Sequence, residues 1–450
     1  MSFASTILKS SLPVESIKIL TKTYSWDCTR YSQKERLEEH IFEGLENVMN
    51  LLIRHRGNVG FATMNALTPD CWVLGPAGMD LYNGLAGIHL MFERVRHEPF
   101  AEKFLSLYDE IEHTGLLFGD AVSLDKASVD KNVQALNVGL FDQLAGIAVS
   151  QYLSLQQVKH RERASESLKR TLSMLTSMVP YDKNYDVISG SAGSIFLANS
   201  LPLDYQEAVN KLIRQSIDKI LSAAQVTADG AFWPAQDSVS GLTGLSHGAS
   251  GIAAALAVGG KASKYRVEEC AEMIGAALEW ERRHFDFEKG WEDLREESQS
   301  KEQSEQLQAW CHGTGGAYIA RQIIADNNDA GLSGDQRRYL DQELQYAVRK
   351  LAKKTLEMIS AGTSDCLCHG TVGNLLILRR ATIKGMYSID EFNAILSATL
   401  SRAERDGWRF GGIPGIPSNS FMMGMPGIVW GLASLYSPVK PNFDPFILGV

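Results

Sequence analysis

Gly248-Ala249-Ser250-Gly251-Ile252-Ala253-Ala254-Ala255-Leu256-Ala257-Val258 decides the fold of this chain. Two glycines, three residues apart, open a run that is apolar nearly all round, and a helix without a polar face belongs in an interior. The figure recurs as Gly84-Leu85-Ala86-Gly87, Gln143-Leu144-Ala145-Gly146 and Gly190-Ser191-Ala192-Gly193. It returns as Gly313-Thr314-Gly315-Gly316, Gly370-Thr371-Val372-Gly373 and Gly424-Met425-Pro426-Gly427. The seven first positions, 84, 143, 190, 248, 313, 370 and 424, are separated by 59, 47, 58, 65, 57 and 54 residues. Repeats at a nearly fixed period set an architecture before any other feature does. Glycine at both positions permits positive φ and a close approach of neighbouring backbones at the helix start.

Working outward, the stretches between copies carry a different pattern. Residues 165–178, 205–224, 267–284 and 337–359 read as amphipathic helices, and no run shows a convincing strand alternation. Near the start of the chain, Leu37, Ile41, Phe42, Leu45, Val48, Met49, Leu52 and Ile53 recur at three- and four-residue steps, so one helix is expected over 34–54. Residues 58–78 read as irregular because Gly60, Pro69, Gly75, Pro76 and Gly78 interrupt them. Seven buried helices inside seven amphipathic ones imply an all-α fold, an α/α toroid, with the glycine-bearing helix starts gathered at one mouth. The steps leave no room for a sizeable inserted domain. The expected division is a helical extension over 1–78 and a toroid over 79–450. Repeats alone would suit a binding scaffold equally well.

Two repeats carry more than glycine. Ala309-Trp310-Cys311-His312-Gly313 and Cys366-Leu367-Cys368-His369-Gly370 each place a thiol and an imidazole just before a helix start. Sulfur and imidazole nitrogen are the donors zinc prefers, and three protein ligands leave the open fourth position of a catalytic site. A single such cysteine would read as a small buried hydrophobe; two in equivalent repeat positions point to metal. Cys366 is separated from the pair by Leu367 and reads as structural, and Cys28, Cys71 and Cys270 carry no motif. Six cysteines in 450 residues are too few for a disulfide scaffold and suit a reducing, cytoplasmic compartment. A net charge of −9 with no basic face argues against nucleic acid as a partner. The first residues lack the pattern of a signal peptide, and no uncharged apolar run is long enough to span a bilayer, so no transmembrane segment is expected.

Taken together, Gly244-Leu245-Ser246-His247-Gly248, Trp310-Cys311-His312-Gly313 and Cys368-His369-Gly370 over seven glycine repeats resemble the lanthionine cyclase (LanC-like) family. Met79-Asp80-Leu81-Tyr82-Asn83-Gly84 and 367–374 are most similar to the C-terminal cyclase domain of class II lanthipeptide synthetases. The resemblance implies a zinc enzyme that adds a peptide cysteine thiol to dehydroalanine or dehydrobutyrine, forming a thioether. It implies Cys311, Cys368 and His369 as zinc ligands, and gives His247 and Asp186 acid-base or orienting roles. It implies as partner a dehydrated precursor peptide with its leader, together with a dehydratase domain or protein. One departure stands out: where stand-alone members carry arginine four residues before the first zinc cysteine, this chain has Leu307. His312 is a candidate to take over part of that role. Two other functions use the same residues: addition of a small thiol such as glutathione to dehydrated peptides, and a non-catalytic, zinc-stabilised peptide-binding toroid.

Overall fold

The computed structural model describes residues 32–68, 71–124, 137–235, 238–295, 308–328, 331–413, 415–437 and 439–448. Leu307 and Cys28 lie outside them. Fourteen α-helices are found among the described residues, and they alternate between two rings. The inner helices are α2 (Leu85–Val95), α4 (Gln143–Ser154), α6 (Ser191–Asn199), α8 (Ala249–Ser263), α10 (Thr314–Asn328), α12 (Thr371–Ile383) and α14 (Met425–Tyr436). The outer ones are α1 (Gln33–Asn50), α3 (Leu105–Leu124), α5 (Arg161–Met178), α7 (Gln206–Ala223), α9 (Val267–Arg283), α11 (Gly334–Ala361) and α13 (Ile389–Asp406). Each inner helix packs on the next, and α14 packs on α2, so the ring closes as the repeats require.

Composition explains the sorting. In α8 every residue from Ala249 to Gly260 is buried, whereas α7 buries only Val209, Leu212, Ile213, Ser216, Ile217 and Ile220, one stripe at helical spacing. Each fully buried Leu, Ile or Val contributes about 1.5–3 kcal/mol, and an inner helix collects that from its whole circumference. Outer helices begin on side-chain caps where a polar residue is available: Ser32, Ser333 and Ser388 each accept a backbone N–H from three residues on. Helix α1, from the N-terminal stretch, lies against α14, and its buried Arg36 pairs with Glu404 of α13 at 2.7 Å. That helix therefore supplies the seventh outer element.

The mouth is built by the loops that precede the inner helices. Counting two residues back from each first motif position gives Tyr82, Phe141, Ile188, Ser246, Cys311, Cys368 and Met422. Their main chains are joined in series: Phe141 N–H to Ile188 O (3.2 Å), Ile188 to Ser246 (3.4 Å), Ser246 to Cys311 (3.2 Å) and Cys311 to Cys368 (3.3 Å). Cys368 N–H then donates to Met422 O (3.0 Å), and Met422 N–H to Tyr82 O (3.1 Å). Six main-chain bonds thus join the seven loops in series as a hoop around the mouth, and the first and second loops, at the ends of the series, meet through side chains, with Met79 N–H donating to Gln143 Oε1 (2.9 Å) and the Tyr82 ring edge-on to Phe141.

Three local expectations are corrected. The first helix stops at Asn50, because Ile53–His55 (β1) pairs with Asn58–Gly60 (β2) in a hairpin turned at Arg56 and Gly57, both with positive φ. The stretch read as irregular contains a second hairpin, Ala62–Thr68 (β3) with Cys71–Pro76 (β4). Three further two-stranded hairpins occur between helices, with strands of two to four residues, too short to show alternation in sequence. The third correction concerns the motif glycines. Gly84, Gly190, Gly248, Gly370 and Gly424 cap their helices in ordinary extended backbone, and only Gly313, with φ +85°, uses the left-handed region. Close approach is the stronger constraint: a Cβ on Gly251 would lie 1.9 Å from Leu245 O, and one on Gly373 2.0 Å from Leu367 O.

Gly251→Ala is therefore expected to destabilise the protein by about 1–3 kcal/mol or more, the cost of overpacking. Gly334→Ala, at a helical position where nothing lies within 4 Å of the added carbon, is expected to be neutral or to stabilise by about 0.4–1 kcal/mol. Urea denaturation midpoints of the two variants and the parent check both.

Candidate metal and acid-base centre

Cys311, Cys368 and His369 come from consecutive loops of the hoop. One donor atom from each lies within 4.8 Å of the other two. A zinc tetrahedron with Zn–S bonds of about 2.3 Å separates its ligand atoms by about 3.8 Å, so the three side chains fit one ion after small rotations. The donor set, two sulfurs and an imidazole, is the soft-borderline set that favours zinc over magnesium or calcium. Cys368 is buried, whereas Cys311 and His369 are partly exposed.

Neighbours fix the orientation of each group. Trp310, fully buried, donates its indole N–H to Phe446 O at 2.8 Å and stacks on the Phe446 ring, which anchors the chain immediately before Cys311. Tyr82, at the equivalent hoop position, donates its hydroxyl to Cys368 Sγ at 3.2 Å. The carbonyl of Gly411 can only accept, so His369 Nε2 donates to it (3.3 Å), which leaves Nδ1 as the ring nitrogen that would hold a metal once its proton is lost. Asp365, beside this loop, accepts from Thr371 Oγ1, the Arg409 N–H and the buried Arg402. Cys366 Sγ accepts the His369 N–H at 3.4 Å, the task Asp186 performs for Ser189 in its own loop.

Charge concentrates here. As protein groups alone, Cys311 and Cys368 share a hydrogen bond that holds Cys311 well below the usual thiol range, against the effect of burial, with His369 and His312 assisting. Cys368 is correspondingly pushed up, by that bond and by burial. Burial would lower His369, but Cys366 and Cys311 overcome it and raise the imidazole to about 11. By themselves, the protein groups thus favour thiolate at Cys311 only, and a metal bound here would displace the protons held by Cys368 and His369.

His247 stands on the adjacent loop. Its Nδ1 meets Asp186 Oδ2 at 2.6 Å, while Asp186 Oδ1 accepts the N–H groups of Ser189 (2.7 Å) and Gly190 (3.1 Å). One carboxylate therefore caps its own loop and orients the histidine of the next. Burial pulls His247 down, but the Asp186 hydrogen bond and charge, with Cys311, carry it above its ordinary value. His312 stacks on His247, with ring centroids 6.1 Å apart. Burial first, then Arg295 and His247, bring His312 down to about 4, against the pull of Cys311, so its ring is neutral at neutral pH.

The six residues singled out from sequence thus meet at one mouth. Reading the sequence missed Tyr82 and Arg295. Tyr82 was legible in principle, since it occupies the same place before its glycine as Cys311 and Cys368 do. Arg295 was not, because it lies in a loop outside the repeat; it pairs with Asp293 at 2.5 Å and acts electrostatically on both His247 and His312.

The lanthionine synthetase C-like protein family model matches residues 75–448. Among curated proteins, the lacticin 481/lactococcin biosynthesis protein LcnDR2 of Lactococcus lactis subsp. lactis is 27% identical over 368 residues, which cover 78% of this chain and 35% of that protein. The chain thus spans about a third of that relative's length. Among solved structures, a nisin cyclase superposes with a TM-score of 0.58 at 16% identity, over 92% of this chain and 97% of the other, a likeness of fold.

Asp186→Asn is expected to move His247 down towards its ordinary value, since the hydrogen bond and negative charge of the carboxylate are what chiefly raise it. An imidazole raised by folding stabilises the protein below its unfolded pKa, and that contribution is lost as pH rises through the folded value. The variant should therefore lose stability chiefly on the acidic side. NMR titration of the His247 ring together with thermal midpoints across pH checks both.

Proposed function

The chain belongs to the lanthionine synthetase C-like family, and on that premise we propose that it is a zinc-dependent cyclase forming (methyl)lanthionine thioether rings in a dehydrated precursor peptide. The observation that carries the reading is the convergence of Cys311, Cys368 and His369 with the His247–Asp186 pair at one mouth. In this reading residues 79–450 are the cyclase unit, and helix α1 from residues 1–78 completes its outer ring. The three ligand residues would hold zinc, which when bound supplies a Lewis acid that makes the substrate cysteine a thiolate at neutral pH. The protein's own residues do the rest. The half-exposed His247, held above its ordinary value by its pairing with Asp186, is the donor that delivers a proton to the substrate α-carbon after sulfur adds to the β-carbon. Asp186 fixes the tautomer and angle of His247. His312, neutral and buried, forms the wall against which His247 stacks.

The substrate is a precursor peptide carrying a leader, and its dehydro residues require an upstream dehydration of serine or threonine by a dehydratase domain or protein. The thiolate-rich centre suits a reducing, cytoplasmic setting. No helix among the described residues is long and apolar enough to cross a membrane. A small thiol entering in place of the peptide cysteine would use the same centre, and mass spectrometry separates the cases. Ring closure removes an alkylatable thiol without changing the peptide mass, whereas glutathione addition raises it. A toroid that only binds peptide changes neither.

Purified protein is expected to hold one zinc per chain. Cys368→Ala should lose the metal and ring closure while keeping its helical circular dichroism, because the double ring buries its own core. An unfolded Cys368→Ala would instead make the metal structural. His247→Ala should keep zinc and peptide binding but close rings roughly 10²–10⁴-fold more slowly, the usual contribution of a positioned acid. An unchanged single-turnover rate with full zinc would remove His247 from the mechanism.

A further inference from the structure

Behind the mouth lies a charged cluster that the chemistry above does not use. Glu281, on outer helix α9, is 1% exposed, and Arg321, on inner helix α10, is 0% exposed. Burying such charges in a helical core is costly unless they are paired and hydrogen-bonded, so their placement calls for a reason. Arg321 Nη1 meets Glu281 Oε2 at 2.8 Å, its Nε meets Glu343 Oε2 at 2.9 Å, and its guanidinium lies over the Trp291 ring. Glu281 is turned towards the His247 loop. Its Oε1 accepts the Gly244 N–H at 3.0 Å and the Ser250 N–H at 2.9 Å, and its Oε2 accepts the Ser250 hydroxyl. Gly244 and Ser250 stand three residues either side of His247. One carboxylate therefore pins both ends of the loop that presents the histidine.

The same loop grips the metal side of the site. Ser246 donates its N–H (3.2 Å) and its hydroxyl (2.9 Å) to Cys311 O. The separation between His247 and Cys311 is thus set by a loop whose two ends rest on Glu281. Other inner helix starts use different anchors: Asp182 accepts from Ser191 and Asp365 from Thr371, both from the chain just before the helix. Arg402 of outer helix α13 reaches the Cys368 loop only through Asp365, whereas Glu281 accepts the backbone N–H groups of the His247 loop directly.

We propose that Glu281, neutralised by Arg321, is a positioning residue that sets the His247 imidazole against Asp186 and Cys311. The proposal deepens the cyclase reading and rests on it for its kinetic consequence, but not for its structural one. The charged and titratable groups facing His247 are Asp186, Cys311, Arg295 and His312, and they stay in place in the tests below.

The test is Glu281→Gln in the full chain, loaded with zinc. Glutamine keeps one acceptor oxygen but loses the charge and cannot accept all the bonds. The expected result is unchanged zinc content, unchanged KM for the dehydrated peptide, and kcat lower by roughly 10-fold or more, since a misplacement of about 1 Å can cost about 100-fold. The His247 ring, followed by NMR, should titrate lower than in the parent because its bond to Asp186 loosens. A variant with a lower thermal midpoint but an unmoved His247 titration and full kcat would overturn the proposal and leave Glu281 as a core ion pair. Should Glu281→Gln not fold, Ser250→Ala carries the test. It removes the hydroxyl that donates to Glu281 and accepts from Arg321 while keeping both backbone bonds to Glu281, and should shift the His247 titration in the same direction by a smaller amount; an unmoved titration there also overturns the proposal. The cyclase reading fails separately, if parent protein with full zinc closes no rings, while the His247 titration still decides whether Glu281 positions it.

Discussion

The hoop of main-chain hydrogen bonds between the pre-helix loops is the constraint on which the rest of the structure depends. Each bond contributes only about 0.5–1.5 kcal/mol net, yet the six together fix the rotation and height of the inner helix starts along the series. Breaking one would leave buried backbone groups unpaired, which costs more than the bond itself is worth. The motif glycines serve this hoop. At Gly251 and Gly373 the space for a side chain is taken by the carbonyl oxygen of the residue six positions earlier in the same loop. Glycine is required there because two stretches of backbone touch, whatever φ the residue adopts.

A closed ring of inner helices turns a linear repeat into a converging site. Residues at equivalent positions in seven loops end up facing a common opening, so a substitution at one position in any repeat changes the lining of one mouth. The position two before the glycine holds Cys311 and Cys368, and also Tyr82, whose hydroxyl reaches the Cys368 sulfur from a loop 286 residues away in sequence. The next position holds His247, His312 and His369 in three successive repeats. These three imidazoles carry different charge because their surroundings differ. His369 faces sulfur and is raised to about 11, His247 faces a carboxylate and is raised, and His312 is enclosed without a partner charge strong enough to offset burial and falls to about 4. One repeat position thereby provides a ligand, a proton donor and a neutral wall.

The two rings divide the work. Inner helices, apolar all round, supply the core and present the loops. Outer helices shield them and supply fixed charges from behind: Glu281 of α9 beneath the His247 loop, Arg402 of α13 beneath the Cys368 loop. Charges buried at such depth are costly unless their bonds are complete, which makes them precise anchors.

How much of this was legible in the sequence follows from the physics of each feature. By itself the sequence determined the all-α class, the seven-fold repeat and the sorting of inner from outer helices, because apolar periodicity records which faces meet water. Its paired Cys-His motifs marked Cys311, Cys368 and His369, because repeat-equivalent positions in a closed ring converge, whereas His247, Asp186 and His312 were marked through the family resemblance. The hairpin at Ile53–Gly60 was hidden, since its three-residue strands are shorter than any reliable period. Only the tertiary structure decided that the first helix packs on the last inner one, that Tyr82 donates to Cys368, and that Asp186 serves two loops at once. It alone brought Arg295 and Glu281 to the site. Those contacts join residues far apart in sequence, and local pattern carries no information about which distant side chain will arrive at a given hydrogen-bond distance.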